Sequence, residues 1–150
     1  MGTESHQLPS QPPSQASVHL AVQIARPVAD VYAFAADPAN LPQWAAGLGG
    51  PMVREGDAWF FDTPGGRAQI VFAPINDLGV LDHDVLTPSG ETVHVPMRVI
   101  VGAAGSSCSE VVFTLRRGDE ITDDDFAHDQ ALVTADLERL RDILEAVADR

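Results

Sequence analysis

The first regular pattern along the chain is an alternation of hydrophobic residues with polar or small ones. Val18, Leu20, Val22 and Ile24 occupy every second position of residues 18–24. Successive side chains of a strand point to opposite faces, so a period of two places these four on the same face. We therefore predict a strand with one apolar face.

The period changes to three or four directly after this strand. Val28, Val31 and Ala35 recur at helical spacing, and Pro27 precedes them. Proline suits the first turn of a helix because its φ is fixed and its missing N–H has no partner there. Residues 26–36 are predicted to form a short amphipathic helix.

A second short helix is predicted to follow at once. The Asp37 carboxylate can accept hydrogen bonds from the free amides of a helix that Pro38 opens. Leu41 and Trp44 fall on one face of this helix and would anchor it against a core. Residues 47–51, which hold three glycines and a proline, are expected to end it.

Alternation on both sides of residues 63–66 predicts a β-hairpin. Aromatic residues alternate before this Pro-Gly turn, and apolar residues alternate after it in residues 67–73. A tight turn fixes the register, so the facing residues can be named in advance. The predicted pairs are Thr63 with Gly66, Asp62 with Arg67, Phe61 with Ala68 and Trp59 with Ile70.

Residues 80–87 and 92–101 are predicted to form a second hairpin around a turn at Gly90, and residues 110–116 to add a last strand after a loop at residues 102–109. One face of these strands is apolar and the other is polar, as expected for a sheet covered on one side. The apolar face carries Leu81, His83, Val85, Val93, Val95, Met97, Val99, Val111, Phe113 and Leu115. The polar face carries Asp82, Asp84, His94, Arg98, Glu110, Thr114 and Arg116.

Residues 122–148 are predicted to form one long helix. Thr122 can cap its N-terminus, and the three aspartates that follow favour the positive end of the helix dipole. Its hydrophobic stripe is typical of a face that packs in a core, and Gln130 interrupts the stripe. The stripe comprises Phe126, Val133, Leu137, Leu140, Leu144 and Val147.

The order of these elements resembles the helix-grip fold of the START-like superfamily, also called SRPBCC. The resemblance is specific over residues 18–44 and architectural beyond them, and it is greatest to the polyketide cyclase/dehydrase and lipid transport branch. It implies an α+β fold in which a curved antiparallel sheet wraps around a long C-terminal helix, with two short helices after the first strand. We expect one such domain over residues 17–150 and a disordered tail, rich in Pro, Ser and Gln, at residues 1–16.

The chain is strongly acidic, with a net charge of −13 and no lysine. Nucleic acids and anionic membranes bind clustered positive charge, so we expect neither as a partner. Half of the 22 acidic residues lie in residues 119–150, most simply as the solvated face of the last helix, with recognition of a basic partner as the alternative.

Cys108 is the single cysteine of the sequence and can form no internal disulfide, which fits a reducing compartment. Neither a membrane-spanning run nor a secretion signal is visible. We therefore expect a cytoplasmic protein.

His83 is the one titratable residue that the alternation places on the inner face of the sheet. Burial lowers the pKa of an imidazole, so a neutral ring there could act as a catalytic base. The simpler interpretation is a core histidine that bonds to a backbone carbonyl or to Gln130. Asp82 and Asp84 flank it but are predicted to point outward, and only a β-bulge would let either orient the ring.

Several large side chains are candidates to line a ligand pocket, because aromatic walls suit planar or isoprenoid ligands; the alternative is that they fill the core. Arg54 could meet an acidic ligand group at the pocket mouth or simply be exposed. The histidines show no metal-ligand spacing, and no phosphate-binding loop or nucleophile elbow is present, so we expect neither a metal nor a cofactor. The side chains predicted to line the ligand pocket are Trp44, Trp59, Phe61, Phe72, Met97, Phe113, Phe126 and Gln130.

The resemblance implies three functions. The first is binding of a small hydrophobic or aromatic molecule in a cavity between the sheet and the last helix, and this is the one we favour. The second is a cofactor-independent cyclase or dehydratase that folds a poly-β-ketone and uses His83, helped by Gln130, to move a proton. The third is a non-enzymatic module that binds another protein. A homodimer is compatible with all three, because an exposed strand edge can pair.

Overall fold

The computed structural model describes residues 17–46 and 50–148. The predicted tail at residues 1–16 and two of the glycines expected to end the second helix, Gly47 and Gly49, lie outside the described residues. The described ranges contain eight strands, three α-helices and one 3-10 turn. The strands are β1 (Ser17–Ile24), β2 (Val53–Glu55), β3 (Ala58–Thr63), β4 (Gly66–Phe72), β5 (His83–Leu86), β6 (Thr92–Val95), β7 (Met97–Gly102) and β8 (Gly105–Arg116). The helices are α1 (Val28–Ala35), α2 (Leu41–Trp44) and α3 (Asp123–Ala148), and the 3-10 turn is Pro38–Asn40.

The strands form two antiparallel sheets, which are joined next to β7. β1, β8 and β7 make a three-stranded sheet in that order, and β2 to β6 make a five-stranded sheet in sequence order. The Leu81 N–H donates to the Met97 carbonyl over 2.9 Å, and Val80 forms a bridge with Arg98. The residues before β5 therefore join the second sheet to β7 of the first.

Helix α3 packs on the inner face of the sheet, and the hydrophobic core lies between them. Leu137 and Leu140 from α3, with Ile24 from β1 and Val111 from β8, are each at most 1% exposed. Leu20, Val22 and Ile24 face this core from one side of β1, as the alternation predicted. The predicted α+β helix-grip arrangement is confirmed.

The predicted register of the first hairpin is confirmed at every named pair. Thr63 faces Gly66, Phe61 faces Ala68 and Trp59 faces Ile70. The Thr63 hydroxyl donates to the Gly66 carbonyl over 2.7 Å and closes the turn. A tight turn allows one register only, which is why local sequence was sufficient here.

The prediction of one continuous strand over residues 92–101 is wrong. The chain divides at Pro96 into β6, which pairs with β5, and β7, which pairs with β8. Proline has no N–H to donate to a ladder, so it stands where the strand changes sheets. Its carbonyl still accepts from Thr114 N–H at 3.0 Å. The strand predicted over residues 80–87 is correspondingly shorter as β5.

The prediction that residues 102–109 form a loop is also wrong. β8 begins at Gly105 and includes the half-buried Cys108, and a register irregularity lies between Val101 and Gly102. Polar and small residues such as Ser109 have low strand propensity, but pairing with β1 and β7 overrides it. Strand β2 was not predicted from the sequence.

The two short helices after β1 are confirmed with one change of boundary. α1 begins at Val28, and Pro27 is its extended N-cap rather than its first helical residue. The Asp37 carboxylate accepts from Ala39 N–H at 3.0 Å, as expected for a cap. Leu41 and Trp44 are buried and anchor α2.

Helix α3 begins as predicted and departs from prediction at its end. The Thr122 hydroxyl accepts from Asp125 N–H at 3.1 Å, which confirms the N-cap. Val147, predicted as the last member of the buried stripe, is 56% exposed. The last buried residue of the stripe is Leu144, because the helix extends beyond the surface that it covers.

Candidate functional site

A pocket of about 150 Å³ lies between the five-stranded sheet, β8, α2 and α3, and it is partly open to solvent. Its sheet side is lined by Ile70, His83, Val85 and Phe113. Its helical side is lined by Leu41, Trp44 and Ala45 near α2, and by Val133, Asp136 and Leu137 on α3. Among the described residues that line it, His83 and Asp136 bring the titratable polar groups, and the other side chains present mainly apolar surface.

His83 reaches the pocket from the first residue of β5. Its Nδ1 lies 3.0 Å from the Leu81 carbonyl oxygen, which can only accept, so Nδ1 carries the proton. The neutral ring therefore has its lone pair on Nε2. The ring packs between Phe72 and Phe113, with centroid separations of 5.0 and 6.4 Å.

Burial lowers the pKa of His83 below its ordinary value of 6.5. The Leu81 carbonyl and the Asp84 carboxylate act in the opposite direction, since both favour the protonated ring, and the neighbouring His94 adds to the lowering. Desolvation is the largest of these effects. His83 is consequently neutral at pH 7 and can accept a proton or a hydrogen bond.

The carboxylates that flank His83 face the other side of the sheet, as the alternation predicted. Asp84 pairs with His94 over 2.5 Å, and Asp82 pairs with Arg98. Asp82 also accepts from Met97 N–H at 2.8 Å. Neither carboxylate orients the His83 ring, which the Leu81 carbonyl holds instead.

Asp136 is a pocket residue that the sequence analysis missed. Its Oδ1 accepts from Ala46 N–H at 3.2 Å and from Arg139 Nη1 at 3.0 Å. Arg139 Nη1 also donates to the Trp44 carbonyl over 2.8 Å, so this pair connects α3 to the end of α2. The available signal was its spacing: Asp136 lies three residues after Val133 and four before Leu140, which are both on the buried stripe.

Three of the predicted ligand contacts meet at the pocket: His83, Trp44 and Phe113. Trp44 is 4% exposed, and its Nε1–H has no hydrogen-bond partner among the described residues. A buried donor without a partner among these residues is costly for the folded state.

The other predicted ligand contacts lie outside this pocket. Phe61, Met97 and Phe126 are buried in the core, and Phe72 touches the His83 ring without lining the pocket. Gln130 is half-buried and makes no hydrogen bond to His83 within the described ranges.

Trp59 lines two surface grooves outside this pocket, one shared with Ile70 and Phe72 and the other next to Arg54. The Arg54 guanidinium lies 5.8 Å from the Trp59 ring centroid and donates to the Gly56 carbonyl. The Arg54 side chain is 60% exposed. Arg54 was predicted to lie either at the pocket mouth or on the exposed surface, and the structure supports the exposed surface.

Two further findings concern the described part of the chain. No group of three or more His, Cys, Asp or Glu residues within it could hold a metal ion. None of the helices in it is both long and apolar enough to cross a membrane.

Solved structures with a similar fold include those of three differently named proteins. XoxI from Bacillus cereus aligns with a TM-score of 0.68 at 13% identity, over 89% of this chain and 98% of XoxI. The Aha1 dimer from Colwellia psychrerythraea aligns at 0.66 and 16% identity, over 86% of this chain and 96% of Aha1. DynU16, a protein in the dynemicin biosynthetic locus, aligns at 0.60 and 20% identity, over 87% of this chain and 47% of DynU16.

At these identities the likeness shows the fold alone. No protein-family model matches the sequence, and no curated protein is significantly similar to it. The similar structures therefore support the fold described above, in which antiparallel sheets pack against a long helix.

Proposed function

We propose that this protein binds a small hydrophobic or aromatic molecule in the pocket between the sheet and α3. The observation that supports this proposal is an apolar pocket with two polar side chains, His83 from the sheet and Asp136 from the helix. Pockets that bind small molecules typically combine apolar walls with a few placed polar groups.

We also propose that residues 17–150 form a single domain of the polyketide cyclase/dehydrase and lipid transport branch. A cytoplasmic location stays a prediction.

The pocket volume limits the size of this ligand. An apolar cavity of about 150 Å³ holds a molecule the size of benzene, whereas drug-sized ligands occupy roughly 300–1,000 Å³. The pocket of about 150 Å³ therefore fits one ring, or one end of a longer molecule. Complete enclosure of a larger ligand would require α2 to move away from α3, and the bonds of Arg139 to Trp44 and of Asp136 to Ala46 oppose that movement.

The test is native mass spectrometry of the gently purified protein, followed by toluene binding to the ligand-free protein. A co-purified species of definite mass, or saturable toluene binding with NMR shifts at Val133 and Phe113, is the expected result. A protein that carries nothing and shows no saturable shift with toluene would overturn the proposal.

The second candidate is cyclase or dehydratase chemistry at the same pocket. It is supported by His83, a neutral imidazole whose Nε2 lone pair is not used by the Leu81 bond. Such a base can remove a proton from a carbon next to a carbonyl, and positioning in the pocket supplies a further part of the rate. DynU16, which has a similar fold, is a protein in the dynemicin biosynthetic locus. His83→Ala should abolish turnover of an identified substrate, and unchanged turnover would remove this mechanism.

The third candidate is a protein-binding module, and self-association is the form that has support. Ile75 and Leu78, in the segment between β4 and β5, are 80% and 76% exposed. Large exposed apolar side chains close together are typical of contact surfaces. The Aha1 structure is also that of a dimer. Sedimentation of the wild type and of Ile75→Ser/Leu78→Ser should then show a dimer that the substitutions dissociate; a wild-type monomer at all concentrations would contradict this.

A further inference from the structure

The polar groups of the pocket identify the chemistry of the ligand that it would accept, provided that the proposed binding function holds. Two groups on opposite walls are hydrogen-bond acceptors: His83 on β5 and Asp136 on α3. The role of His83 follows from the Leu81 carbonyl. Because the Nδ1–H group donates its hydrogen bond to that carbonyl, the neutral ring has only the Nε2 lone pair to offer to a ligand.

Asp136 is an acceptor with unused capacity. Both of its hydrogen bonds, from Ala46 and Arg139, go to Oδ1. Oδ2 accepts no hydrogen bond from any described residue, although a carboxylate can accept about four in all. The side chain is only 20% exposed, so water satisfies it incompletely. A ligand that donates a hydrogen bond would complete its coordination.

Among the described residues, no cationic side chain lines the pocket to balance a ligand with a negative charge. Arg139 contacts two lining residues, and its Nη1 is already bonded to the Asp136 carboxylate and to the Trp44 carbonyl. A carboxylate ligand would lose hydration between apolar walls and would also meet the Asp136 carboxylate, whose charge the Arg139 ion pair offsets only in part. Both effects disfavour organic anions.

We propose that the pocket selects neutral ring-sized molecules that carry a hydrogen-bond donor, with phenols as the representative class, and excludes aromatic carboxylates. A phenolic hydroxyl donates to an acceptor on either wall, His83 or Asp136. The ring itself occupies the space between Phe113 and Val133.

The experiment compares three probes of one ring each at pH 7.5: toluene, phenol and benzoate. Affinities are measured by NMR titration of the full chain. Toluene measures apolar binding alone, phenol adds a neutral donor, and benzoate adds a charge. We expect phenol to bind more tightly than toluene and at least about tenfold more tightly than benzoate, since hydrogen bonds to charged groups and like-charge contacts are each of this order.

The variant Asp136→Asn tests whether Asp136 causes the preference for phenol over benzoate. Asp142→Asn is the matched control. Asp142 lies on the same helix, is 68% exposed, and loses the same charge when substituted. The phenol-to-benzoate affinity ratio should fall about tenfold in Asp136→Asn and stay unchanged in Asp142→Asn. If Asp136→Asn does not fold, the ranking of the three probes on the wild type is still decisive.

The outcomes separate the two proposals. If no probe binds, the binding function itself fails. If toluene binds but benzoate binds as tightly as phenol, the pocket is a ligand site without this selectivity, and the inference is wrong. Equal loss of the ratio in both aspartate variants would show that overall charge, and not Asp136, causes the preference.

Discussion

The carbonyl oxygen of Val99 occupies the space next to Gly79 that a side chain would need. Val99 N–H donates to the Gly79 carbonyl over 2.8 Å, and a Cβ at Gly79 would overlap the Val99 carbonyl oxygen. Gly79 also has a φ of +72°, which L-residues with a side chain rarely adopt. This contact lies where the residues before β5 join the two sheets, directly beside the strand that carries His83.

Gly79→Ala should therefore be strongly destabilising. The left-handed φ costs about 1–2 kcal/mol for a residue with a Cβ, and the backbone clash adds to it, so we expect a loss of about 3 kcal/mol or more in the free energy of unfolding. Urea unfolding measures it. Gly90→Ala is the matched control, because Gly90 has a φ of +89° and open space around its Cβ position. Equal losses at the two glycines would contradict the role of the Val99 contact.

The stability of the fold should decrease below pH 6.5 because of His83. Its pKa is lowered in the folded state from the ordinary 6.5, so the unfolded chain binds the proton more readily. The contribution is fully present above pH 6.5 and is lost progressively as the pH falls from there toward the folded pKa. His83→Gln lacks this titration, and its free energy of unfolding should depend less on pH between 8 and 5.5 than that of the wild type. Parallel pH profiles would contradict the burial of the ring.

Ser109→Ala should destabilise the junction of β8 with the start of α1. Ser109 is fully buried, and its hydroxyl donates to the Arg26 carbonyl over 2.6 Å. The substitution leaves that carbonyl without this donor, at a cost of about 1–3 kcal/mol. Ser107→Ala, on the exposed part of the same strand, should change the free energy of unfolding by less than about 0.5 kcal/mol. A difference between the two variants below the error of the urea titration would disprove this assignment.

A larger side chain at Val133 should block the pocket. Val133 lines it from α3, whereas its neighbour Leu132 is 49% exposed. Val133→Phe is expected to lower toluene affinity at least about tenfold by occupying part of the volume, and Leu132→Phe to leave the affinity unchanged. Thermal unfolding of both variants verifies that they fold. Undiminished toluene binding in a folded Val133→Phe would place the ligand elsewhere.

Local patterns in the sequence were sufficient for most of the elements. The alternation in β1, the cap at Asp37 and the register of Trp59 with Ile70 each depend on residues close in the chain. Such features follow from backbone geometry and from one or two hydrogen bonds. The inward position of His83 followed from the same period of two.

The break at Pro96 was visible in the sequence, but its consequence was not. Proline removes one ladder donor, and what happens next depends on partners far along the chain. Here Thr114 binds the Pro96 carbonyl, and the Asp82 carboxylate accepts the next free amide, from Met97. A side-chain acceptor 15 residues away made the change of sheet possible.

The pocket was decided by tertiary structure. The sequence determined that His83 and Trp44 would face inward, since each lies on the apolar side of its own element. Only the packing of α2 on α3 determined that Asp136 would join them, and only the packing of the whole core determined that Phe61, Met97 and Phe126 would be buried outside this pocket. Periodicity specifies which face of an element is buried, whereas the distance between two elements depends on how all their side chains fit together.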